Sequence, residues 1–166
     1  MATTTDKISY ATTNAIAITL NSLAASTTAG RSSAAVDNTT NLYQDALVSV
    51  IVKTTSGVTP GSDRAGYTYL YGSEDGTNYN TSTVEAVDGT DKAITFDSPT
   101  NLKGPVVMSI INSASTWKQT FSFAAAWGGI LPRKWGIVFQ NSSNMALTGT
   151  PSDHVVSYTG INYTNS

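Results

Sequence analysis

Apolar runs of about four to eight residues, alternating with period two and punctuated by clusters of Gly, Pro, Asn, Asp and Ser, recur along the chain. Successive side chains of a strand point to opposite faces, so such a pattern demands half-buried strands joined by turns. From Asp45 to Thr54, Ala46, Val48, Val50 and Val52 fall on one face and Leu47, Ser49, Ile51 and Lys53 on the other, which predicts a central strand. Tyr67, Tyr69 and Tyr71 alternate with Thr68, Leu70 and Gly72 and lead into Asp75-Gly76, a reversal signal. A hairpin returning through 81–87 is expected there. Ile16, Ile18 and Leu20 predict a first strand over 15–20, and further strands are expected around 93–96, 105–112, 117–124, 135–141 and 155–161. Ser22 to Ala25 and Phe123 to Trp127 are the helix-compatible stretches, both too short to be stable alone. Eight or nine strands in this arrangement specify an all-β fold, an antiparallel β-sandwich of jelly-roll type.

Residues 1–14 are expected as a flexible amino-terminal arm leading into the first strand, and 15–166 as a single β-sandwich domain. A chain of 166 residues suffices for one core without a covalent staple. The predicted core comprises Ile16, Ile18, Val48, Val50, Phe121, Phe123 and Trp135.

Charge is scarce. Asp, Glu, Lys and Arg make up 12% of the chain, net charge is -2, and glutamate occurs only at Glu74 and Glu85, so long solvated helices are poorly supported. The nine Lys and Arg are scattered from Lys7 to Lys134, and only Arg133-Lys134 are adjacent, which argues against direct nucleic-acid binding. No apolar run approaches a membrane span, and Met1-Ala-Thr-Thr-Thr-Asp-Lys lacks the organisation of a secretory leader, so synthesis in the cytoplasm is expected. The absence of cysteine excludes disulfides and thiolate metal sites.

Catalytic chemistry finds little support. A single histidine, His154, has no nucleophile motif beside it and reads as a loop-edge residue before the last strand. Asp63, Asp75, Asp88, Asp91 and Asp97 stand in turn contexts, where a carboxylate caps its own backbone. Glu74, Asp75 and Asn78 offer hard oxygens without the spacing of a calcium loop, and also read as a turn. Trp117, Trp127 and Trp135 lie among Phe121, Phe123, Ile130 and Ile137 and are expected in the core, with stacking on sugar rings as the alternative use. No catalytic residue, cofactor or metal is predicted.

Three segments carry a family resemblance: Ala15-Ile-Ala-Ile-Thr-Leu-Asn-Ser-Leu-Ala, Gly30-Arg-Ser-Ser-Ala-Ala-Val-Asp-Asn-Thr-Thr-Asn-Leu-Tyr-Gln-Asp-Ala-Leu-Val, and Ala124-Ala-Ala-Trp-Gly-Gly-Ile-Leu-Pro-Arg-Lys-Trp-Gly-Ile-Val. In this order they resemble small virion proteins of tailed bacteriophages, of the capsid decoration or cement type. The resemblance implies a structural protein on the capsid exterior, made in the host bacterial cytoplasm and bound to the major capsid protein, as a homo-trimer. It implies no catalytic residues. The alternatives are a carbohydrate-binding or host-attachment module on a fibre or tail, with a glycan as partner, and a small glycan-processing enzyme. Partner contacts are expected on the second strand faces, at Leu47, Ile51, Val107 and Ile111, with Arg133 and Lys134 after Pro132 as polar rim contacts.

Overall fold

The alternation of the sequence becomes eleven strands in the computed structural model, which describes residues 6–165. They are β1 (Asp6–Tyr10), β2 (Asn14–Ala15), β3 (Ala29–Ser32), β4 (Val36–Asp37), β5 (Asp45–Lys53), β6 (Ala65–Ser73), β7 (Lys92–Thr95), β8 (Lys103–Ser109), β9 (Thr116–Ser122), β10 (Lys134–Ser142) and β11 (Val155–Asn165). A single helical turn, α1 (Phe123–Trp127), follows β9, and a 3-10 turn at Pro151–Asp153 precedes β11. One sheet has the order β1-β11-β5-β9 with β2 also on β11; the other runs β7-β3-β10-β6-β8 with β4 also on β10. Every pairing is antiparallel.

Eight strands, β1, β3, β5, β6, β8, β9, β10 and β11, trace a jelly roll. The first pairs with the last, the second with the seventh, the third with the sixth and the fourth with the fifth, as in a long hairpin rolled into two sheets. The short β2, β4 and β7 raise the number above the eight or nine expected.

The sandwich interior follows from the strand pattern. On β5, Ala46, Val48, Val50 and Val52 are fully buried while Leu47, Ser49, Ile51 and Lys53 are half-exposed. From the opposite sheet, Leu70, Met108, Ile110, Trp135, Ile137 and Phe139 complete the same cluster. Trp135 spans the layers: its ring lies 4.6 Å from Phe123 and 5.2 Å from Tyr158 on β11. Phe121 and Ile18 are only half-buried against this core, since Phe121 sits on the edge strand β9.

The other face of the β10 sheet is also covered. Between β6 and β8 the chain makes a long excursion, 74–102, that folds back over Tyr71 and Val138. Val87, Ile94 and Leu102 from this excursion form with them a second buried cluster, flanked by Tyr69, Tyr79 and Phe96. Its anchor is Glu85, only 1% exposed. The carboxylate accepts hydrogen bonds from the Ser82 and Asp97 backbone amides at 3.3 and 3.4 Å and from the Thr100 hydroxyl, which ties the middle of the excursion to its final turn. A buried carboxylate persists only when donors replace its water, and here they come from two separate segments, at 82 and at 97–100.

Four expectations are corrected. The arm assigned to 1–14 is strand from Asp6 to Tyr10, paired with β11 from Asn165 to Ile161, while residues 1–5 lie outside the described segment. The strand expected over 15–20 stops at Ala15: the Ile16 amide still bonds Val156, but the Ala17 carbonyl accepts from Ala34, so this segment crosses between sheets with Ile16 and Leu20 buried. The return strand over 81–87 is absent. Asp75 makes the reversal by accepting from the Thr77 and Asn78 amides, and the chain then leaves the sheet plane. The strand expected to 124 ends at Ser122, because the Ser122 hydroxyl accepts from Ala125 and Asp45 accepts from the Ala124 amide, starting α1. Gly128 and Gly129, both at positive φ, end it.

A Cβ on Gly136 would lie 2.4 Å from the Tyr71 hydroxyl and 2.7 Å from Ser33 Oγ, so Gly136→Ala should lower stability by about 1–3 kcal/mol through overpacking. Phe123→Ala should cost about 3–5 kcal/mol, and Phe121→Ala clearly less, since its ring is half-exposed. Urea denaturation measures all three, and equal losses at Phe121 and Phe123 would contradict the edge placement.

Stability should also respond to acid. Hydrogen bonds from Asn78 and Thr77 hold the Asp75 carboxyl well below its ordinary range, and those from Lys92 and Thr90 hold Asp88 at about 2. Burial pushes Asp91 up, but hydrogen bonds from Arg31 and Thr19 outweigh it and leave the group lowered. A depressed folded value stabilises the fold above the unfolded carboxylate value of about 3.9 and is lost as pH falls through the folded values. The melting temperature should therefore stay level from neutrality to about pH 4 and fall between about pH 4 and 2. A decline beginning above pH 5 would point to other groups.

Candidate functional site

The six residues expected at a partner interface fall in three places. Leu47 and Ile51 project from the outer face of the β5 sheet, about 13 Å apart along the strand. Cross-strand register puts Thr159 and Ser122 beside Leu47, Ser157 and Thr120 beside Ser49, and Val155 and Lys118 beside Ile51. The outer face is thus a field of hydroxyls with apolar islands.

Val107 and Ile111 belong to the other sheet. Val107 pairs with Tyr67 on the face turned away from the core and is 54% exposed; Ile111 follows just beyond the strand end at 51%. They lie on the opposite side of the sandwich from Leu47 and Ile51, so the four do not form one patch. The strand here is shorter than expected, Lys103–Ser109, and its core-facing side holds Met108, followed by Ile110.

Arg133 and Lys134 occupy a third position, at the end of the sandwich where β10 begins. Arg133 is exposed in the loop after Pro132, as expected. Lys134 is not a loop residue: it opens β10, between Asp37 on β4 and Ser73 on β6. Hydrogen bonds from the Thr39 hydroxyl and amide hold the Asp37 carboxyl below its ordinary value, with the nearby Lys134 ammonium adding to the effect.

Sequence reasoning missed the most exposed part of the β5 sheet. Ile8 pairs with Tyr163 and Tyr10 with Ile161, and Ile161 and Tyr163 continue the row of β11 that contains Val155, Ser157 and Thr159. Ile8 is 57% exposed, Tyr10 63% and Tyr163 52%. Together with Leu47, Ile51 and Val155 they run along the same outer face. The signal was present in Lys7-Ile8-Ser9-Tyr10, a short alternation hidden by the Thr-rich start of the chain.

The polar groups singled out for chemistry are occupied by structure. His154 accepts from the Lys53 amide at Nδ1, 3.4 Å, and its Nε2 lies 2.9 Å from the Thr148 carbonyl, which fixes the ring at the entry to β11. Asp75, Asp88 and Asp97 bond the amides of their own turns. Asp63 and Asp91 instead tie distant segments, to Ser142 at 2.6 Å and to Arg31 at 2.6 Å. Among the described residues no three Asp, Glu or His side chains are grouped to hold a metal ion, and no helix is long and apolar enough to cross a membrane.

The tryptophans divide. Trp135 is fully buried, and Trp117 and Trp127 are both half-buried against the core; Trp127, stacked on Phe123 with ring centroids 5.8 Å apart, also lines surface cavities. Comparison of the chain with protein-family models, with curated proteins and with solved structures gave no match.

Proposed function

We propose that the protein is a non-catalytic virion component that binds the exterior of an assembled tailed-phage capsid through the outer face of the β1-β11-β5-β9 sheet. The observation that carries this reading is the asymmetry of the two sheets. The chain itself covers the outer face of the β10 sheet around Tyr71 and Val138, with the 74–102 excursion and a second apolar cluster, and leaves it open only at the β8 edge. It leaves most of the outer face of the β5 sheet uncovered, with Ile8, Tyr10, Val155 and Tyr163 exposed and Leu47 and Ile51 half-exposed on it, around the buried Ile161. Apolar side chains set in a hydroxyl-rich surface match the composition of an interface that forms after folding, since the free protein stays soluble while the islands supply the dry centre. Three segments resembling phage decoration proteins supply the occupant, a major capsid protein repeated over the shell.

A stable contact of this kind buries about 1,200–2,000 Å² in total, within reach of a four-stranded face. Rows of rigid strands suit a shell that presents the same epitope many times, and three copies around a three-fold axis would satisfy the symmetry of such a surface. Val107 and Ile111, on the opposite side, are the residues available for contact between copies. Jelly-roll topology agrees with this role.

Leu47→Asp with Ile51→Asp places two charges on the outer face without touching the core. The double variant should keep the melting temperature of the parent and bind undecorated shells at least about tenfold more weakly in a co-sedimentation assay. Ile130→Asp, in the loop between α1 and β10 and off the outer strand face, should bind as the parent does. Undiminished binding by the double variant, or no binding by the parent, would overturn the proposal.

A further inference from the structure

We propose that the end of the sandwich beside α1 carries a saccharide-binding site built around the Trp127 indole. A cavity of about 350 Å³ is lined there by Glu74, Trp127, Ile130, Leu131, Pro132 and Arg133. Across Glu74 and Trp127 it meets a second cavity, of about 370 Å³, that reaches Asn78 and Tyr79. Across Leu131 and Arg133 it meets a third, of about 390 Å³, that reaches Thr39 and Leu42. Three adjoining subsites of this size suit an oligomeric ligand more than a single small molecule.

The platform is rigid before any ligand arrives. Trp127 stacks on Phe123 at an interplanar angle of 25°. Gly72 lets the indole come close: a Cβ there would stand 3.0 Å from Trp127 Cη2 and 2.7 Å from Pro132 Cγ. The adjoining loop is fixed by its own bonds, with Asp75 accepting from Thr77 and Asn78 and with Asn80 Oδ1 accepting from the Gly72 amide at 2.7 Å. Fixing the site in advance removes much of the ordering cost of binding.

The exposed groups define the ligand. Ile130, at 78%, and Leu42, at 68%, are the two most exposed large apolar side chains among the described residues, and both flank this groove. Glu74 and Arg133 line the same cavity, and neither makes a side-chain hydrogen bond or an ion pair among the described residues, where the three ion pairs involve other groups. A carboxylate accepts from two neighbouring hydroxyls, and a guanidinium donates its fork to two hydroxyl oxygens. A pyranose ring presents both, a rim of vicinal hydroxyls around an apolar C–H face that lies flat on an indole. Polyanions are disfavoured by Glu74 and by Asp75 beside it. An apolar peptide would use Trp127 and Ile130 but leave both Glu74 and Arg133 unpaired. The chemistry therefore favours a neutral oligosaccharide, and the site is separate from the proposed capsid-binding face.

The test follows the three indole N–H resonances of the full chain, labelled with nitrogen-15, during titration with chitohexaose, cellohexaose, mannohexaose and lipid-free O-antigen polysaccharide. At least one saccharide should shift the Trp127 resonance saturably, with a dissociation constant of about 1 mM or tighter, while Trp135 stays in place. Trp127→Ala removes a ring that packs on Phe123, so Arg133→Ala and Glu74→Gln provide the independent check. Each should weaken binding about tenfold with the melting temperature unchanged. Absence of any Trp127 shift at about 10 mM saccharide would overturn the site. So would unaltered affinity in both variants, or a response to an apolar hexapeptide alone.

Discussion

Everything in this fold depends on keeping β10 dry on both faces. Trp135, Ile137 and Phe139 point into the sandwich and Val138 points away from it, yet all four are fully buried. A strand in a two-layer sandwich ordinarily wets its outer face, so a second cover is required. The 74–102 excursion supplies it: β7 pairs with β3 and the Arg31–Asp91 pair ties the excursion to the same strand, while the Glu85 carboxylate and the Lys92–Asp88 pair brace it internally. Tyr71 is the hinge between the two interiors. Its ring packs over Gly136, its hydroxyl donates to the Ser33 carbonyl at 2.7 Å, and Ser33 Oγ accepts from the Ile137 amide. One glycine, one tyrosine and one serine thereby join β6, β10 and the segment after β3.

This solution leaves the molecule lopsided. One sheet is wrapped by its own chain and the other is not, so an unwrapped face remains for a partner while the wrapped side gains loops that shape cavities. The capsid-binding proposal uses the bare face and the saccharide proposal uses the end of the roll where the excursion, α1 and the start of β10 meet. Both functions would thus derive from the same insertion, which stabilises one sheet and builds the walls of the groove beside it.

Much of this organisation was legible in the amino-acid order. Strands β5, β6, β10 and β11 announce themselves because large apolar residues alternate with small or polar ones over seven residues or more. Strand β1 carries only a short alternation beside a Thr-rich start, and β3 was hidden for the opposite reason. Ala29-Gly30-Arg31-Ser32 has no apolar alternation, and its place is set by close approach: a Cβ on Gly30 would lie 2.7 Å from the Phe139 carbonyl. Ile16, Ile18 and Leu20 alternate like a strand, but the chain there changes sheets, and period two alone does not distinguish a crossing extended segment from a paired one. The excursion was invisible because Glu85 is held by Thr100 and Asp97, donors that lie twelve or more residues away and that no local pattern connects. Trp127 was read as core for its apolar neighbours, and the structure leaves it at the boundary, half-buried against the core from α1 and open to surface cavities on the other side. Of the expected interface residues, Leu47 and Ile51 share one face, Val107 and Ile111 another, and strand parity within one segment carries no information about which sheet that segment joins.

Native-state hydrogen exchange of β10, measured across sub-denaturing urea, tests the central claim most directly. If both faces of the strand are sealed, the amides of Ile137, Val138 and Phe139 should exchange only through global unfolding, with the urea dependence of the whole domain. Amides of the edge strands β1 and β9 should exchange earlier, by local opening. Exchange of the β10 amides through a local, urea-insensitive opening as easy as that of β1 would show that the excursion does not seal the outer face, and would contradict the account.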